Sequence, residues 1–321
     1  MKGSLPDDVV EVFERSVTTE FVTVDGRGQP IAWPVTPYCH TGEGCIDITT
    51  GLGDPKKADD AARNPNVALL FSDPTGSGMQ APPIVLVQGT AKIDDRDLEA
   101  NRERYERESA IKLPGAHKGQ PPTALRRFFA WYYTPIYIHV RPERVYVWRD
   151  RNLEAEPELY DAHLDEVRAA HNQEPESGHA PPEGGPPDWD PRLDELGTHY
   201  ATAALGFVGP EGFPFAVRVP VRADRAAGVV RIEADPEGAP IEPGLACLCA
   251  HDHAPDFSWR RNFQVGGDLE EDHGGWLLRP HKLVGGVEPS PTSTVQRYRH
   301  NARKALRFRR IAKGELAKRG R

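Results

Sequence analysis

The sequence predicts a mainly β protein, with some α, that contains two β-barrels in tandem. Short runs of β-branched and aromatic residues recur between turn residues, and few helical patterns lie among them. Strands in this number with short connections are typical of a closed barrel. Motifs from the first half of the chain return in the same order in the second half, and 321 residues are enough for two domains.

The first half of the chain contains three helical patterns and six predicted strands. Residues 8–16 and 56–64 indicate short helices, the second of which ends before Pro65, and residues 94–109 indicate a charged helix without a wide apolar stripe. Runs rich in β-branched and aromatic residues predict strands at 20–24, 31–38, 46–50, 67–71, 84–93 and 136–148.

The middle of the chain divides it into two parts. Residues 153–172 have the pattern of a surface helix, and residues 173–189 are rich in proline and glycine, as linkers are. We therefore expect four segments. These are a first barrel over 1–150, a linker over 151–192 that is helical and then Pro/Gly-rich, a second, degenerate barrel over 193–290 and a basic C-terminal tail with a helix over 291–321.

Two pairs of motifs indicate that the second barrel is a copy of the first. GQPIA at 28–32 leads to a Pro-Val pair, and GFPFA at 212–216 leads to another. RPERV at 141–145 similarly corresponds to RPHKL at 279–283. Because both matches occur in the same order and after similar strands, the sequence predicts a tandem repeat.

The net charge of −8 combines an acidic body with a basic tail. Residues 297–321 carry eleven Lys or Arg and one acid, which leaves 29 bases and 47 acids in the first 296 residues. We therefore expect no nucleic acid to bind the body. For the tail, the alternatives are a helix docked on the acidic body, a frayed end, or an anionic partner such as RNA or a membrane surface.

The composition also indicates a compartment. No apolar stretch approaches the roughly 20 residues of a membrane-spanning helix, and the N-terminus turns acidic without the apolar core of a signal peptide. Four cysteines are too few for a disulfide scaffold. We therefore expect a cytoplasmic protein without a transmembrane segment.

The segment from 48 to 57 has the residue types that favour a phosphate. A strand ends in Thr49 and Thr50, a glycine-rich turn follows, and Lys56 and Lys57 open a helix. Hydroxyls, ammonium groups and the amides of a helix N-terminus all attract phosphate oxygens, and glycine lets the backbone come close to a ligand. An ordinary strand–turn–helix connection with solvated lysines is the alternative.

This segment and its continuation resemble a known family. Together with NPNVALLF at 64–71, it resembles the cofactor segment of the pyridoxamine 5'-phosphate oxidase-like, FMN-binding split-barrel superfamily. The G-x-P before the second strand, the GTA at 89–91 and the R-P-x-R-V before the last strand resemble that family too. The resemblance covers residues 8–150 well and 195–290 faintly, and it implies two tandem split barrels of FMN-binding type.

The resemblance implies a set of cofactor-binding residues. Lys56 and Lys57 would bind the flavin phosphate, and Thr49 and Thr50 would lie beside the phosphate or the ribityl chain. The strand with Pro34, Val35 and Thr36 would run along the isoalloxazine ring. Trp148 would close the site. For Trp148, a plain aromatic residue at the barrel edge is the alternative.

Departures from the family pattern bear on the activity. Pro83 and Ile84 replace a basic residue and a glutamine, and the W-Q-G and R-L-H-D-R signatures are absent. These departures argue against oxidation of pyridoxine phosphate. The resemblance then implies an FMN-dependent oxidoreductase that acts on an unidentified small molecule, with no catalytic residue assigned. The alternative is a non-catalytic binding or carrier protein, and deazaflavin, FAD and haem are the alternative cofactors.

The second copy lacks the pair of lysines, since an acidic, proline-rich stretch at 236–240 lies at the equivalent place. Split barrels of this family usually bind flavin between two subunits. The resemblance therefore implies an intrachain pseudo-dimer with one working site, and a homodimer of the chain is a further alternative. Four arginines of the second half either reach across to that site or are solvated surface residues: Arg218, Arg222, Arg260 and Arg261.

The run CLCAHDH at 247–253 contains residue types that bind metals. Alternate residues of a strand stand roughly 7 Å apart, so the four candidate side chains span about 20 Å. One ion needs all of its ligands within about 2.3 Å, which a strand does not provide. We assign no metal ligand in the chain. His251 and His253 remain candidates to face the cofactor site, and a role as a haem ligand stays open.

Overall fold

The computed structural model of the protein describes residues 5–39, 44–117, 134–161, 189–234, 236, 238–273, 275–284, 286 and 294–318. In these ranges the chain forms two β units and four α-helices, and all of the strand pairs within the sheets are antiparallel. Among the described helices, none has both the length and the apolar character that crossing a membrane requires.

The first unit is a sheet with the strand order β2-β1-β5-β6-β7-β4-β3, to which β8 adds by pairing with β7. The two strands at the ends of this order, β2 and β3, are neighbours in the chain, because only Thr36 and Pro37 separate them. The strands are β1 Thr19–Val24, β2 Pro30–Val35, β3 Tyr38–Cys39, β4 Ile46–Gly51, β5 Asn66–Phe71, β6 Ile84–Asp94, β7 Pro135–Trp148 and β8 Glu158–Asp161.

Three helices accompany this sheet: α1 Asp7–Arg15, α2 Lys56–Arg63 and α3 Leu98–Lys112. The apolar face of α1 and two alanines of α2, Ala58 and Ala61, enter the core of the first unit, which also contains Phe21 and Trp33. The helix α3 begins at a capping residue, Asp97, whose carboxylate accepts hydrogen bonds from the amides of Glu99 and Ala100.

The second unit is a closed barrel of six strands in the order β10-β11-β14-β13-β12-β9. Its strands are β9 Thr202–Val208, β10 Pro214–Asp224, β11 Val229–Ile232, β12 Gly244–His253, β13 Arg260–Asp272 and β14 Gly275–Val284. The prediction of a mainly β protein with two split-barrel-type units and a C-terminal helix is therefore confirmed.

The two units have the same order of strands. When the strands are matched in chain order, β2-β1-β5-β6-β7-β4 corresponds to β10-β9-β12-β13-β14-β11. The first hairpin is also the same in both, because Gly28 (φ 78°) and Gly212 (φ 80°) each supply the left-handed turn conformation before the proline that begins the next strand.

A second shared feature is a β-bulge beside the two R-P motifs. The register shifts between Gln88 and Gly89 opposite Pro142, and between Gly266 and Gly267 opposite Pro280. A Cβ atom on Gly89 would lie 2.1 Å from the carbonyl oxygen of the arginine that precedes Pro142, and on Gly267 the corresponding distance is 2.2 Å. Both glycines are therefore required by the close approach of the neighbouring backbone.

One core cluster joins the two units. It contains Val22, Leu86 and Trp148 from the first unit together with side chains from β9, β10, β12 and β13 of the second. The side chain of Phe215 lies at the centre of the contact, with its ring 5.2 Å from Tyr146 and 6.4 Å from Trp148. Two amide side chains add hydrogen bonds across the contact, from Gln29 and Gln88 to backbone carbonyls of the second unit.

Two sequence predictions need correction. Residues 158–161 form β8 on the edge of β7, where a helix over 153–172 was predicted, and residues 162–188 lie outside the described residues. The predicted strand at 31–38 is interrupted after Val35, because Thr36 and Pro37 separate β2 from β3. Pro37 cannot donate a hydrogen bond to the ladder, but Pro34 within β2 and Pro220 within β10 show that a proline alone does not end a strand.

The basic tail forms a fourth helix, α4 Thr294–Lys318. Ala312 is buried in the core cluster of the first unit, and Leu316 packs against the same cluster. Nearby basic side chains of α4, among them Arg309, Arg310 and Lys313, are exposed. Of the alternatives for the tail, the structure therefore shows a docked helix.

Candidate functional site

The predicted phosphate segment lies where β4 meets α2. The turn after Gly51 is closed by a hydrogen bond from the amide of Asp54 to the Gly51 carbonyl (2.9 Å), and the hydroxyl of Thr50 donates to the Asp54 carbonyl (2.6 Å). Thr49 faces the opposite side of β4, because successive strand residues alternate. The two predicted threonines therefore face different sides of the sheet, and the Thr50 hydroxyl shapes the turn.

The N-terminus of α2 has no side-chain cap. Pro55 occupies the N-cap position and offers no oxygen from its side chain to the first amides of the helix. These amides have no partner within the helix either, because the first turn of any α-helix leaves its N–H groups unsatisfied. An uncapped helix N-terminus after a glycine-containing turn is suited to an anion.

The two lysines of this segment have acidic neighbours. The Lys56 ammonium lies 2.8 Å from the carboxylate of Asp60 and 3.8 Å from that of Asp25. The Lys57 ammonium lies 3.5 Å from Asp54, and 4.5 Å from the centre of the Trp33 ring. The Lys57 side chain is only 12% exposed, so its charge is held in one place by these contacts.

The predicted flavin strand lies close to the lysines. Pro34 directly follows Trp33, whose ring contacts Lys57, so the end of β2 lies beside the start of α2. Val35 is buried in the core of the first unit, whereas Pro34 and Thr36 are partly exposed. Seven of the eight predicted residues thus lie on β2, β4 or α2 or directly after β2, and the contact between Trp33 and Lys57 joins β2 to α2.

The eighth residue, Trp148, lies elsewhere. It ends β7, whereas Thr50 pairs with Ile136 at the other end of the same strand, about 40 Å away along the strand path at ~3.3 Å per residue. The indole is 2% exposed, donates a hydrogen bond to the Ala155 carbonyl (3.1 Å) and packs on Phe215. Trp148 therefore packs in the contact between the two units.

A buried charged cluster lies between the two units and was not predicted. Glu20 of β1 is fully buried and forms an ion pair with Arg218 of β10. His251 of β12 also bonds to the Glu20 carboxylate. Ser72 links the pair, because it receives a hydrogen bond from Arg218 (2.7 Å) and donates one to Glu20 (3.1 Å). Arg218 thus reaches across to the first unit, but its partner there is the buried Glu20 and not the predicted phosphate segment.

The environment of Glu20 favours its charged form. Burial raises the pKa of the carboxyl group, but the Arg218 guanidinium and the hydrogen bond from His251 outweigh burial and leave the pKa below its usual value. For Arg218, burial lowers the pKa, but the charges of Glu20 and Asp73 outweigh burial and leave the pKa above its usual value. The cluster is therefore an ion pair at neutral pH.

The other three predicted arginines have partners within the second half, whereas His253 also contacts the first. The exposed Arg222 pairs with Glu233, Arg261 pairs with Glu195, and the Arg260 guanidinium lies 5.4 Å from the centre of the Phe257 ring. His253 bonds to the hydroxyl of Thr18 (2.9 Å) and to the Ala254 carbonyl (2.9 Å). The strand β12 is continuous from Gly244 to His253, so its cysteines and histidines stay spread along a strand.

Comparisons with known proteins give matches at the level of structure. No protein-family model matches the chain, and no curated protein matches it. A solved protein from Clostridium acetobutylicum, related to general stress protein 26 and described as of the pyridoxinephosphate oxidase family, is 14% identical, with a TM-score of 0.33 over 48% of this chain and 92% of its own.

Two further solved structures are similar over a comparable part of the chain. An F420 reductase is 18% identical, with a TM-score of 0.34 over 44% of this chain and 98% of its own. A heme binding protein from Mycobacterium smegmatis is 13% identical, with a TM-score of 0.33 over 50% of this chain and 60% of its own. Values this low concern the fold of part of the chain and carry no conclusion about ligand or activity. The solved neighbours of this chain include pyridoxamine 5'-phosphate oxidase-like split-barrel proteins, the family that the sequence motifs resemble.

Proposed function

We propose that this protein binds FMN through the junction of β4 and α2 and acts as a flavin-dependent oxidoreductase on a small molecule. The observation that carries the proposal is the uncapped N-terminus of α2 with Lys56 and Lys57 in its first turn. The first turn thus combines free amides, the positive end of the helix dipole and two lysine side chains, and each of these groups stabilises a phosphate dianion.

The acidic neighbours of the lysines are compatible with this role. Asp54 is 53% exposed, so it can turn toward solvent when a phosphate takes its place beside Lys57. The carboxylate of Asp60 is buried and receives hydrogen bonds from Lys56 and Arg63. It would remain a fixed support that holds the Lys56 side chain beside the first turn of α2. The residues present therefore fit the phosphate end of the cofactor.

The flavin ring would lie along the end of β2. Thr36 and Pro37 interrupt the strand between β2 and β3, whereas β10 continues without a break through the corresponding residues of the second unit. Backbone groups at such an interruption are available to the polar edge of a ring system. Trp148 would take no part in this site, because it packs between the units at the far end of β7.

Only the first unit would carry a working site. In the second unit the described residues between β11 and β12 form no helix, and the stretch holds Pro236 and Pro240 instead of lysines. We further propose that the matching strand orders, hairpins and bulges record a tandem duplication. The second barrel would then take the place of the partner subunit in an intrachain pseudo-dimer.

Bound flavin supplies hydride or electron transfer, and the protein supplies position and electrostatics. In this chain, the lysines and the α2 amides would fix the phosphate, and the buried ion pair of Glu20 and Arg218 would keep the second unit in place beside the first. We assign no acid or base. A small-molecule substrate is part of the proposal, and its identity is left open.

The experiment is a binding and turnover test with a matched control. We expect the flavin-free protein to bind FMN, and the double variant Lys56→Gln/Lys57→Gln to bind it at least about tenfold more weakly, because charge-assisted hydrogen bonds contribute roughly 1.5–3 kcal/mol each. Lys92→Gln removes an exposed lysine of β6 and should bind as the parent does.

Equal FMN affinity in the double variant would contradict the site. If bound FMN is reduced by NAD(P)H and reoxidised in air, the protein is an oxidoreductase. Tight binding without any reduction would instead support the alternative of a carrier.

A further inference from the structure

A second cluster of chemically reactive side chains lies on the outer face of the first unit. Asp47 of β4 pairs across the sheet with His139 of β7, and Cys45 precedes β4 by one residue. The ligand atoms of these three residues all lie within 4.8 Å of one another. We propose that Cys45, Asp47 and His139 bind one Zn²⁺ or a similar first-row transition-metal ion.

The three side chains converge on one carboxylate oxygen. The thiol of Cys45 lies 3.4 Å from Asp47 Oδ1, and the His139 Nδ1 atom lies 2.6 Å from the same oxygen. A tetrahedral ion with bonds of roughly 2.0–2.3 Å holds its ligand atoms about 3.3–3.7 Å apart. The sulfur and oxygen already have that spacing, and His139 needs to move by less than ~1 Å when an ion replaces the proton between it and Asp47.

The surroundings support the ligands in the way that metal sites require. The other ring nitrogen of His139 faces Asp94, whose carboxylate lies 3.8 Å away and would orient the imidazole. The second oxygen of Asp47 is held by Arg104, so one oxygen is left to bind the ion. Arg104 is itself paired with Glu108 (2.7 Å), so its charge is offset.

Burial and access also fit a bound ion. The Asp47 side chain is 1% exposed, so its carboxylate is held in a fixed position, whereas His139 is 25% exposed and leaves an entry path from solvent. Three protein ligands leave a fourth position for water, as in zinc sites that are open. The mixture of thiolate, imidazole and carboxylate favours zinc or cobalt over magnesium and calcium, which prefer oxygen ligands alone.

The second unit provides an internal comparison. The pairing of β11 with β10 and β14 puts Arg231 at the position of Asp47, and Leu277 at the position of His139. Arg231 makes ion pairs with Asp224 and Asp272 there. The residue at this sheet position thus forms surface ion pairs in the second unit. In the first unit the residue there is Asp47, which lies beside Cys45 and His139.

The experiment measures cobalt and zinc binding to chelator-treated, flavin-free protein. We expect one equivalent of Co²⁺ to bind, with a thiolate-to-cobalt charge-transfer band and the d–d bands of a four-coordinate ion, and an equivalent of Zn²⁺ to displace it. Excess Mg²⁺ should not compete. A spectrum without the thiolate band, or displacement by Mg²⁺ as effective as by Zn²⁺, would overturn the proposal.

Variants separate the site from adventitious binding. Cys45→Ser should abolish the charge-transfer band and weaken zinc binding at least tenfold, and His139→Gln should weaken it similarly. Asp94→Asn should lower the affinity about tenfold, as loss of a supporting hydrogen bond does. The control is His281→Gln, because His281 forms a similar pair with Asp268 (2.6 Å) in the second unit and should leave binding unchanged.

Each variant is checked for an unaltered circular dichroism spectrum before titration. If His139→Gln unfolds, Cys45→Ser still decides the question, since serine is nearly the same size as cysteine. A folded Cys45→Ser protein that keeps the charge-transfer band would show that the ion binds elsewhere. None of these readouts depends on flavin, so the outcome is independent of the proposed function.

Discussion

At the scale of single residues, the ion pair of Glu20 and Arg218 shows how charge is accommodated between two apolar surfaces. Both side chains are almost completely withdrawn from water, at 1% and 13% exposure. Removal of two charges from water costs several kcal/mol, and only good geometry with further hydrogen bonds offsets that cost. Ser72 and His251 supply those bonds. The pair therefore fixes the arrangement of the units more than it adds to their stability.

We expect Arg218→Met to destabilise the protein by about 3–5 kcal/mol, because it leaves the Glu20 carboxylate buried without a cation. The double variant Glu20→Gln/Arg218→Met should recover a large part of that loss. Urea unfolding at neutral pH measures both. Equal stability of the single and double variants would show that the two residues are not coupled.

The Glu20 carboxyl group also predicts a pH dependence. Its pKa in the folded protein is lower than its unfolded value of about 4.5. The stabilisation is therefore complete above that unfolded pKa, and it is lost as the pH falls through the lower folded pKa. Urea unfolding between pH 6 and about pH 3 should show a steeper loss of stability in the parent than in the Glu20→Gln/Arg218→Met variant. Parallel curves would contradict this assignment.

The bulge glycines give a further prediction at this scale. Gly89→Ala would place a methyl group 2.1 Å from a backbone carbonyl oxygen, so the strands must separate. We expect destabilisation of about 1–3 kcal/mol or more, and a similar effect for Gly267→Ala. Gly275→Ala is the control, because its nearest atom would be 3.8 Å away. Thermal unfolding is the measurement, and a control as unstable as Gly89→Ala would refute the steric argument.

At the scale of elements, α4 makes an apolar contact with the first unit. Ala312 and Leu316 join the core cluster there, whereas Arg309, Arg310 and Lys313 are exposed. This apolar contact therefore helps to hold the basic helix in position, since exposed charged pairs contribute little. A single substitution should release it without unfolding the barrels.

Ala312→Arg is that substitution, because a charged side chain does not fit a site that is 4% exposed. We expect amide hydrogens of α4 to exchange at least tenfold faster, while those of β5 and β6 stay protected. Ala317→Arg, on the exposed side of the helix, should leave exchange unchanged. Loss of protection throughout the first unit would mean that α4 is part of its folding core.

The sequence was most informative about the elements of the first unit. Pattern and turn residues located α1, α2 and the strands β1, β4, β5, β6 and β7 to within a few residues. The prediction of a helix over 153–172 was wrong for residues 158–161, which form β8. This four-residue edge strand is stabilised by its pairing with β7, and no local sequence pattern reveals that pairing. The break after Val35 was missed because prolines also lie inside β2 and β10, so Pro37 does not by itself mark the end of a strand.

The candidate site was predictable only in part. Lys56 and Lys57 could be found because charge, turn and helix start coincide in one short segment. Glu20 could not, since a single acid in an apolar strand also fits an exposed edge, and its partner Arg218 is 198 residues away along the chain. Asp47 and His139 are likewise 92 residues apart, and only strand pairing brings them together.

At the scale of the whole molecule, the two units share one core cluster, besides the separate core of the first unit. The cluster that contains Phe215 and Trp148 draws side chains from both sheets, so neither unit buries that surface alone. A shared apolar core couples the unfolding of two units, because exposure of one face destabilises both. The second unit therefore acts as a structural support for the first.

We expect Phe215→Ala to destabilise the protein by about 3–5 kcal/mol, with a single unfolding transition in the parent and in the variant. Near-ultraviolet and far-ultraviolet circular dichroism should give the same midpoint. Phe257→Ala is the control, because that side chain is partly exposed and lies outside the shared cluster. Two separate transitions in the parent would show that the units fold independently.

The central claim is that the start of α2 binds the phosphate of a flavin. The most direct measurement is a comparison of FMN with riboflavin, which lacks the phosphate, by fluorescence titration of the flavin-free protein. We predict that FMN binds at least about tenfold more tightly than riboflavin, as one or more charge-assisted hydrogen bonds imply, and that Lys56→Gln/Lys57→Gln removes the difference. Equal affinities of the parent protein for both compounds, or no binding of either, would contradict the claim.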